Sequence, residues 1–391
     1  MKPLKILFLT HSFPRFSGDA PGSFLLRLAR ALKAEDVEVR VIAPSAAGLA
    51  PVEEIEGITV ERFRYAPRSA ETLAYTGNMA HDVSSSWTAR AALVGYIGSD
   101  AGKSIGAARR FRPDVIHAHW WFPSGVIGRI VGSVTRTPLL TTLHGTDVRM
   151  GRKFAASRPL LRSVLRHSAR VTTVSSWLAS EVRTLVQDVD PSVAPMPVAT
   201  ERFAPGTSRE TNRFLFAGRL NQQKGLRHLL KAFAVMTRPA MLDVVGEGNE
   251  AQSLRLLASQ LGVSDRVVWH GQVDQESLAR FYQKATAVVV PSVDEGLGLV
   301  AAEAQLCETP VVAFRSGGLT DVIQHGTTGI LVTPGETAEL AHALDTVLSS
   351  PAHAAELGRS GRMFALSAFS PESTANRYAA IYRTVIEQRA A

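Results

Sequence analysis

Short, uninterrupted apolar runs alternate with helix-period segments along almost the whole chain, and the series occurs twice. The first series starts with "ILFLT" (6–10) and passes through a Gly/Pro loop into "GSFLLRLARALKAE" (22–35). It continues with "VRVIAP" (39–44), "DVIHAH" (114–119), "PLLTTLHG" (138–145) and "RVTTVS" (170–175). The second runs "RFLFAG" (213–218), a helix at 225–236, "MLDVVG" (241–246), a helix at 249–261, "RVVWHG" (266–271), "TAVVVP" (286–291) and "PVVAF" (310–314). Strands that are apolar throughout are buried on both faces, which calls for a parallel sheet covered by helices on each side. Between the series, "PSVAPMPVATERFAPG" (191–206) carries Pro191, Pro195, Pro197 and Pro205 with little periodicity and reads as a linker. A last helix-period stretch, 371–389, follows the second series. The expected fold class is α/β: two doubly wound Rossmann-like domains, 1–190 and 207–368, facing across a cleft, with a terminal helix in 369–391. A chain of 391 residues is too long for one ordinary core and suits this division.

The remaining bulk properties narrow the setting. The first apolar run stops at Thr10 and His11, too short for a signal peptide or a spanning helix, and no later run reaches membrane-spanning length. The single cysteine, Cys307, excludes an internal disulfide, and its apolar helical surroundings make it a packed core thiol. A cytoplasmic location is expected. Charge is uneven. Residues 1–180 hold 24 Lys+Arg against 13 Asp+Glu, a net of +11, and residues 181–391 hold 19 against 22, a net of −3. Two domains with different partners are implied, and none of the patterns calls for a nucleic acid. The stretch "RMGRKFAASRPLLRSVLRHSAR" (149–170) has seven basic residues and no acid. Arg158, Arg162, Arg166 and Arg170 recur every four residues, which on a helix makes a basic stripe beside Leu160, Leu161, Val164 and Leu165. The stripe is read either as a solvated face or as a peripheral contact with an anionic membrane or acceptor.

Chemistry is sought where strands end, because open α/β sheets bind ligands at the carboxyl ends of their strands. "FAGRLNQQKGLRHLLKAF" (216–233) opens a helix after a strand, with Arg219 and Lys224 flanking the loop. Two cations beside a helix N-terminus suit an anion. "FPRFSGDAPGSFLL" (13–26) is a similar junction, with Gly22 at the helix start. Gly246-x-Gly248-x-x-Ala251 has the spacing of a dinucleotide fingerprint, but the next strand ends in His270 instead of an acid, so a dehydrogenase fits poorly. His117 and His119 end one strand, and His144 with Asp147 follow the next. The three histidines have no metal-ligand spacing, so a hydrogen-bonding or catalytic role for His119 is expected, and no metal. Asp188 and Asp190, the one Asp-x-Asp, sit in a turn beside the linker and give no support for a metal-held diphosphate.

In "PSVDEGLGLVAAEAQLCETP" (291–310), Glu295 precedes a Gly-rich turn and Glu303 lies inside the helix that follows. One acid can accept sugar hydroxyls and the other ribose hydroxyls, with a diphosphate lying across Arg219 and Lys224. These motifs resemble those of the family-four retaining glycosyltransferases of two-Rossmann, GT-B, architecture, over nearly the full length. "PSVDEGLGLVAAEA" is similar to that family's E-x7-E donor motif and "GRLNQQKGL" to its Arg…Lys phosphate motif. "VVGEGNE", "GGLTDVI" and "GTTGILV" follow in the family's order, and "HAHWWFPSG" and "LHGTDV" resemble its acceptor-side motifs.

The resemblance implies transfer of a sugar, with retention and without a metal, from a nucleotide diphosphate sugar to an acceptor hydroxyl of unspecified type. No cofactor beyond that co-substrate is implied. Arg219 and Lys224 would hold the diphosphate, Glu295 the transferred sugar and Glu303 the ribose. Gly22, Leu297, Gly298 and Leu299 would lie on the donor side, His119 would be catalytic, and His144 and Asp147 would face the acceptor. Leu297 stands where the family commonly has Phe, Glu308 follows Cys307 where Gly is usual, and "PMPVATERF" lacks the usual Asn-Gly pair. A nucleotide-sugar epimerase and a non-catalytic sugar-nucleotide or glycan binder are the alternatives on the same architecture.

Overall fold

A computed structural model describes residues 3–75, 79, 83 and 86–390. Two compact units are present: Met1–Val174, Leu178–Pro197 and Pro371–Ala391 form unit 1, and Ser175–Trp177 with Val198–Ser370 form unit 2. The outermost residues of the sequence, Met1, Lys2 and Ala391, lie outside the described residues.

Unit 1 is an eight-stranded sheet. Its strands are β1 (Leu4–Leu9), β2 (Val37–Pro44), β3 (Val52–Ile55), β4 (Ile58–Phe63), β5 (Val115–His119), β6 (Leu139–Leu143), β7 (Arg170–Thr173) and β8 (Ser192–Val193), in the order β3-β4-β2-β1-β5-β6-β7-β8. All neighbours run parallel except β3 and β4. Unit 2 is a six-stranded parallel sheet of β9 (Arg213–Ala217), β10 (Met241–Val245), β11 (Val267–Gly271), β12 (Ala287–Val290), β13 (Val311–Phe314) and β14 (Ile330–Val332), ordered β11-β10-β9-β12-β13-β14. Every residue of β5, β6, β12 and β13 is buried, which is why β12 and β13 read as unbroken apolar runs and why the His and Thr residues of β5 and β6 lie inside the unit. The two doubly wound sheets agree with the expected fold class.

Strand order reverses at two places, between β1 and β5 in unit 1 and between β9 and β12 in unit 2. Connections leave such neighbours in opposite directions, so the backbone opens a crevice at the carboxyl ends there. The loops after β9 and β12 carry Arg219, Lys224 and Glu295. The loop after β1 and the end of β5 carry His11 and His119.

Three features depart from the sequence reading. The hairpin β3–β4 went unread; its turn is Glu56-Gly57, both at positive φ (48° and 77°), as a two-residue turn between right-twisted strands requires. The proline-rich stretch is not wholly a linker, because Ser192 and Val193 pair with Thr172 and Thr173 as β8. Arg170 does not extend a helical stripe. The helix Arg158–His167 ends three residues earlier, and Arg170 begins β7. On that helix Leu161, Val164 and Leu165 are buried, Arg158 donates to the carbonyls of Gly151 and Arg152, and Arg166 pairs with Asp188 at 2.5 Å. Phe154, Leu160 and Arg162 remain exposed. No described helix is long and apolar enough to cross a membrane.

Candidate active site

In unit 2 the loop after β9 is built by its own side chains. Asn221 accepts from the Lys224 backbone N–H at 3.1 Å, closing a single turn over Gln222–Lys224. Gly225 then turns left-handed (φ 70°) and starts the helix Leu226–Val235. A Cβ at Gly225 would lie 1.9 Å from the Pro291 carbonyl oxygen, so only glycine lets this loop touch the one after β12. Gly246 and Gly248 serve the same purpose. A Cβ on either would fall 2.0 Å from the Gly218 oxygen or 2.2 Å from the Leu220 oxygen, and Leu220 N–H donates to the Glu247 carbonyl. Their fingerprint-like spacing therefore reports loop-on-loop packing beneath Arg219.

The loop after β12 is pinned from both sides. Val293 N–H donates to the Gln223 carbonyl, and Gly318 N–H donates to the Glu295 carbonyl at 2.7 Å. Glu295 is nearly buried, with 9% of its surface exposed, and its Oε1 lies 2.5 Å from Lys224 Nζ. Gln223 Nε2 approaches Oε2 at 3.4 Å. The structure thus joins Lys224 and Glu295, two of the residues singled out from sequence. Arg219 is exposed, and among the described residues no carboxylate pairs with it. Arg219, Lys224 and a helix start thus lie on one loop, an arrangement that suits an anion.

Gly298, left-handed at φ 98°, caps the helix Leu299–Leu306, with Leu297 buried and Leu299 half-buried on either side. Glu303 lies about one turn into that helix. Its Oε2 accepts from the Tyr282 hydroxyl at 3.0 Å. Burial and the Glu303 carboxylate hold that phenol well above its usual range, so it stays a donor. Tyr282, 21 residues away, carried no sequence signal. Cys307 is buried, and burial with Glu303 nearby pushes its thiol up to about 12, which agrees with an inert core cysteine.

In unit 1, four histidines gather at the carboxyl ends of β1, β5 and β6. His119 is fully buried, and its Nδ1 lies 3.2 Å from Nε2 of His144, which is half-buried. His117 packs against His119 with ring centroids 4.0 Å apart and planes tilted by 39°, and Phe8 meets both rings edge-on. Trp120, at an uncommon φ of 69°, lies 4.3 Å from both His11 and His144. His11, which sequence reading passed over, directly follows β1 at the strand-order reversal and belongs to this cluster. Burial lowers the pKa of all four rings, His11 to about 4 and His144 to about 3, so the cluster is neutral near pH 7. Two ring nitrogens, His11 Nδ1 and His119 Nε2, are buried without a protein partner. Such atoms cost free energy unless something meets them, so the cluster retains hydrogen-bonding capacity for a ligand.

Asp147 is corrected. Its carboxylate is buried and accepts from the backbone N–H groups of His144, Gly145, Val148 and Trp121 at 2.9–3.3 Å. It anchors the loop that presents His144 and Trp120, with both carboxylate oxygens engaged by backbone N–H groups. Gly22, at φ 71°, lets the loop after β1 close on its helix, since a Cβ there would lie 2.4 Å from the Ser12 oxygen. Asp188 and Asp190 pair with Arg166 and Arg183. Among the described residues, no three of His, Cys, Asp and Glu are grouped as metal ligands.

Residues 198–364 match the family model for glycosyl transferases group 1, and residues 20–198 match that for the glycosyl transferase 4-like domain. A D-inositol 3-phosphate glycosyltransferase of Frankia alni is 32% identical over 380 residues, spanning 86% of this chain and 88% of that relative. One from Acidothermus cellulolyticus is 33% identical, spanning 71% and 68%. Among solved structures, sucrose-phosphate synthase from Thermosynechococcus elongatus superposes with a TM-score of 0.80 at 22% identity, covering 98% of this chain and 100% of that one. Anabaena HepE in complex with UDP gives 0.75 at 20% identity, covering 97% and 100%. The two family models together span residues 20–364, the relatives and the fold agree with them, and the chain belongs to this family: it is a group 1 glycosyltransferase of the GT-B fold.

Proposed function

We propose that this glycosyltransferase moves a sugar from a nucleoside diphosphate sugar to an acceptor hydroxyl, with retention at the anomeric carbon and with side-chain cations in place of a metal. The observation that carries the reading is the Lys224–Glu295 pair at the strand-order reversal of unit 2, with Arg219 on the same loop as Lys224. In the reaction the bond from the anomeric carbon to the diphosphate breaks, a bond to the acceptor oxygen forms, and the acceptor proton leaves to the diphosphate or to solvent. Negative charge grows on the departing diphosphate, and charge already in place there lowers the barrier most. Arg219 and Lys224 supply it. Lysine has three donors, so Lys224 can keep Glu295 while it engages a phosphate oxygen. Glu295 then accepts from the transferred sugar and Glu303 from the ribose. Leu297, Gly298 and Leu299, which follow Glu295 in the chain, are read as donor contacts, and Gly22 as a donor-binding residue of unit 1. His119 offers its unpaired Nε2 to a sugar hydroxyl, and His144 faces the acceptor.

The donor base is read as uridine because structures of HepE hold UDP and UDP-glucose. An inositol phosphate is the first acceptor to try, given the relatives' names. The exposed Phe154, Leu160 and Arg162 are proposed to bring the enzyme to an anionic membrane from the cytoplasmic side. A thermal-shift screen of UDP-, GDP- and ADP-sugars is the test. Ligand at 100 times its Kd stabilises by about 2.7 kcal/mol, roughly 5 °C or more for a domain of this size. UDP-sugars should give that shift, and UDP release with acceptor should persist in chelator. No shift with any nucleotide sugar would remove the donor site, and loss of turnover in chelator would remove the metal-free claim.

A further inference from the structure

The helix Pro371–Ala390 belongs to unit 1 although it follows the last helix of unit 2 in the chain. It sends two fully buried tyrosines, Tyr378 and Tyr382, against the sheet. The Tyr382 hydroxyl lies 2.8 Å from His117 Nδ1. His117 Nε2 lies 2.6 Å from Thr142 Oγ1, which is 2.6 Å from Thr172 Oγ1. Tyr378 donates to the Ala194 carbonyl at 2.9 Å and flanks the same ring with centroids 5.4 Å apart.

Two proton arrangements satisfy the His117 ring in this row of neutral groups, with the Tyr378 hydroxyl also beside Thr142 and Thr172. In one, the phenol donates to Nδ1, Nε2–H donates to Thr142, and Thr142 donates to Thr172. In the other, every bond is reversed. A phenol is a better donor than a neutral imidazole N–H, and isolated imidazole side chains favour Nε2–H, so the first arrangement wins. The hydroxyl therefore fixes both the tautomer and the ring plane of His117. His117 is the ring packed against His119, whose remaining orientation comes from Phe8 and the bond to His144.

We propose that Tyr382 is a positioning residue for the reaction: from the chain's last helix it locks His117, which holds His119 and, through it, His144 in working orientation. The inference rests on the reading that this histidine pair serves sugar transfer. Small misplacements of reacting groups cost rates far more than they cost binding. Removing the hydroxyl should therefore lower kcat and leave the donor KM alone.

The test compares Tyr382→Phe, His119→Ala and their double variant, using UDP release from UDP-glucose with inositol 3-phosphate or, failing turnover, with water as acceptor. Tyr382→Phe should lose about tenfold in kcat with the KM for UDP-glucose within about twofold. It should add nothing to the loss in His119→Ala, because both act through one ring. Unchanged kcat in Tyr382→Phe beside a disabled His119→Ala would overturn the proposal and leave the reading of the site standing. A fully active His119→Ala would remove that reading itself. Nitrogen-15 spectra of the histidine rings in the unaltered protein test the same claim without relying on a variant that folds. His117 should show the Nε2–H tautomer, and an Nδ1–H signal overturns the proposal.

Discussion

The Lys224–Glu295 pair allows stability and activity to be separated within one contact. The nitrogen and oxygen lie 2.5 Å apart, and the side chains are 22% and 11% exposed. At an effective dielectric near 20 the gross attraction of such a pair is about 4 kcal/mol or more, and desolvation returns much of it, leaving a net coupling of about 1–2 kcal/mol. In Lys224→Met the Glu295 carboxylate keeps only the long contact to Gln223 and little water, which should cost about 1–3 kcal/mol. Glu295→Gln removes that stranded charge. The double variant Lys224→Met/Glu295→Gln should therefore melt within about 1 kcal/mol of the unaltered protein.

Activity should not follow. If Lys224 neutralises the departing diphosphate, both proteins lacking it should lose on the order of 10²-fold in kcat, about 2.7 kcal/mol of barrier, whatever their stability. The assay is a four-protein cycle, with urea unfolding for stability and UDP release from UDP-glucose for turnover. Recovery of turnover in the double variant would refute the reasoning. Lys224 would then exist to hold Glu295, and the phosphate role would pass to Arg219 alone.

Three further outcomes are expected. Glu303→Ala should weaken binding of free UDP about tenfold by calorimetry, with Tyr282→Phe smaller in the same direction; unchanged affinity would dismiss the ribose role. Asp100 is buried with Ser104 Oγ at 2.8 Å, and burial pushes its carboxyl up to about 7. Its folded pKa exceeds its unfolded one, so stability should fall as pH rises from about 4 to about 7, whereas the buried histidines lose theirs as pH drops below about 6.5. Asp100→Asn should gain about 2–3 kcal/mol relative to the unaltered protein between pH 5 and 8, and a difference independent of pH would refute the burial account. Co-sedimentation with anionic but not neutral vesicles at low salt should weaken in Leu160→Asn/Arg162→Gln, and equal recovery in both supernatants would leave this surface simply solvated.

What could be read from the sequence, and what could not, divides along physical lines. Strands β5, β6, β12 and β13 were legible because burial on both faces favours short runs rich in apolar residues, β12 and β13 wholly so and β5 and β6 broken only by buried His and Thr. The strand-end placement of Arg219, Lys224 and Glu295 was legible because a residue just past a strand has few places to go. Arg170 was misread because a four-residue recurrence does not say where a helix stops. The turn after His167 is set by Ser168, whose backbone N–H and hydroxyl both bond the Val164 carbonyl. Asp147 was misread for a different reason. An aspartate next to a histidine looks like chemistry in one dimension, and only the fold shows four backbone N–H groups already on its oxygens. The partners of Glu303 and His117 lie beyond local pattern altogether. Tyr382 reaches His117 across 265 residues of chain, and its hydroxyl matters because the ring it meets is buried and neutral. In each of these cases the type of residue was informative, but its role was decided by which polar groups burial had left unsatisfied. For that reason the orphaned nitrogens of His11 and His119 say more about a ligand than the paired carboxylate of Asp147 does.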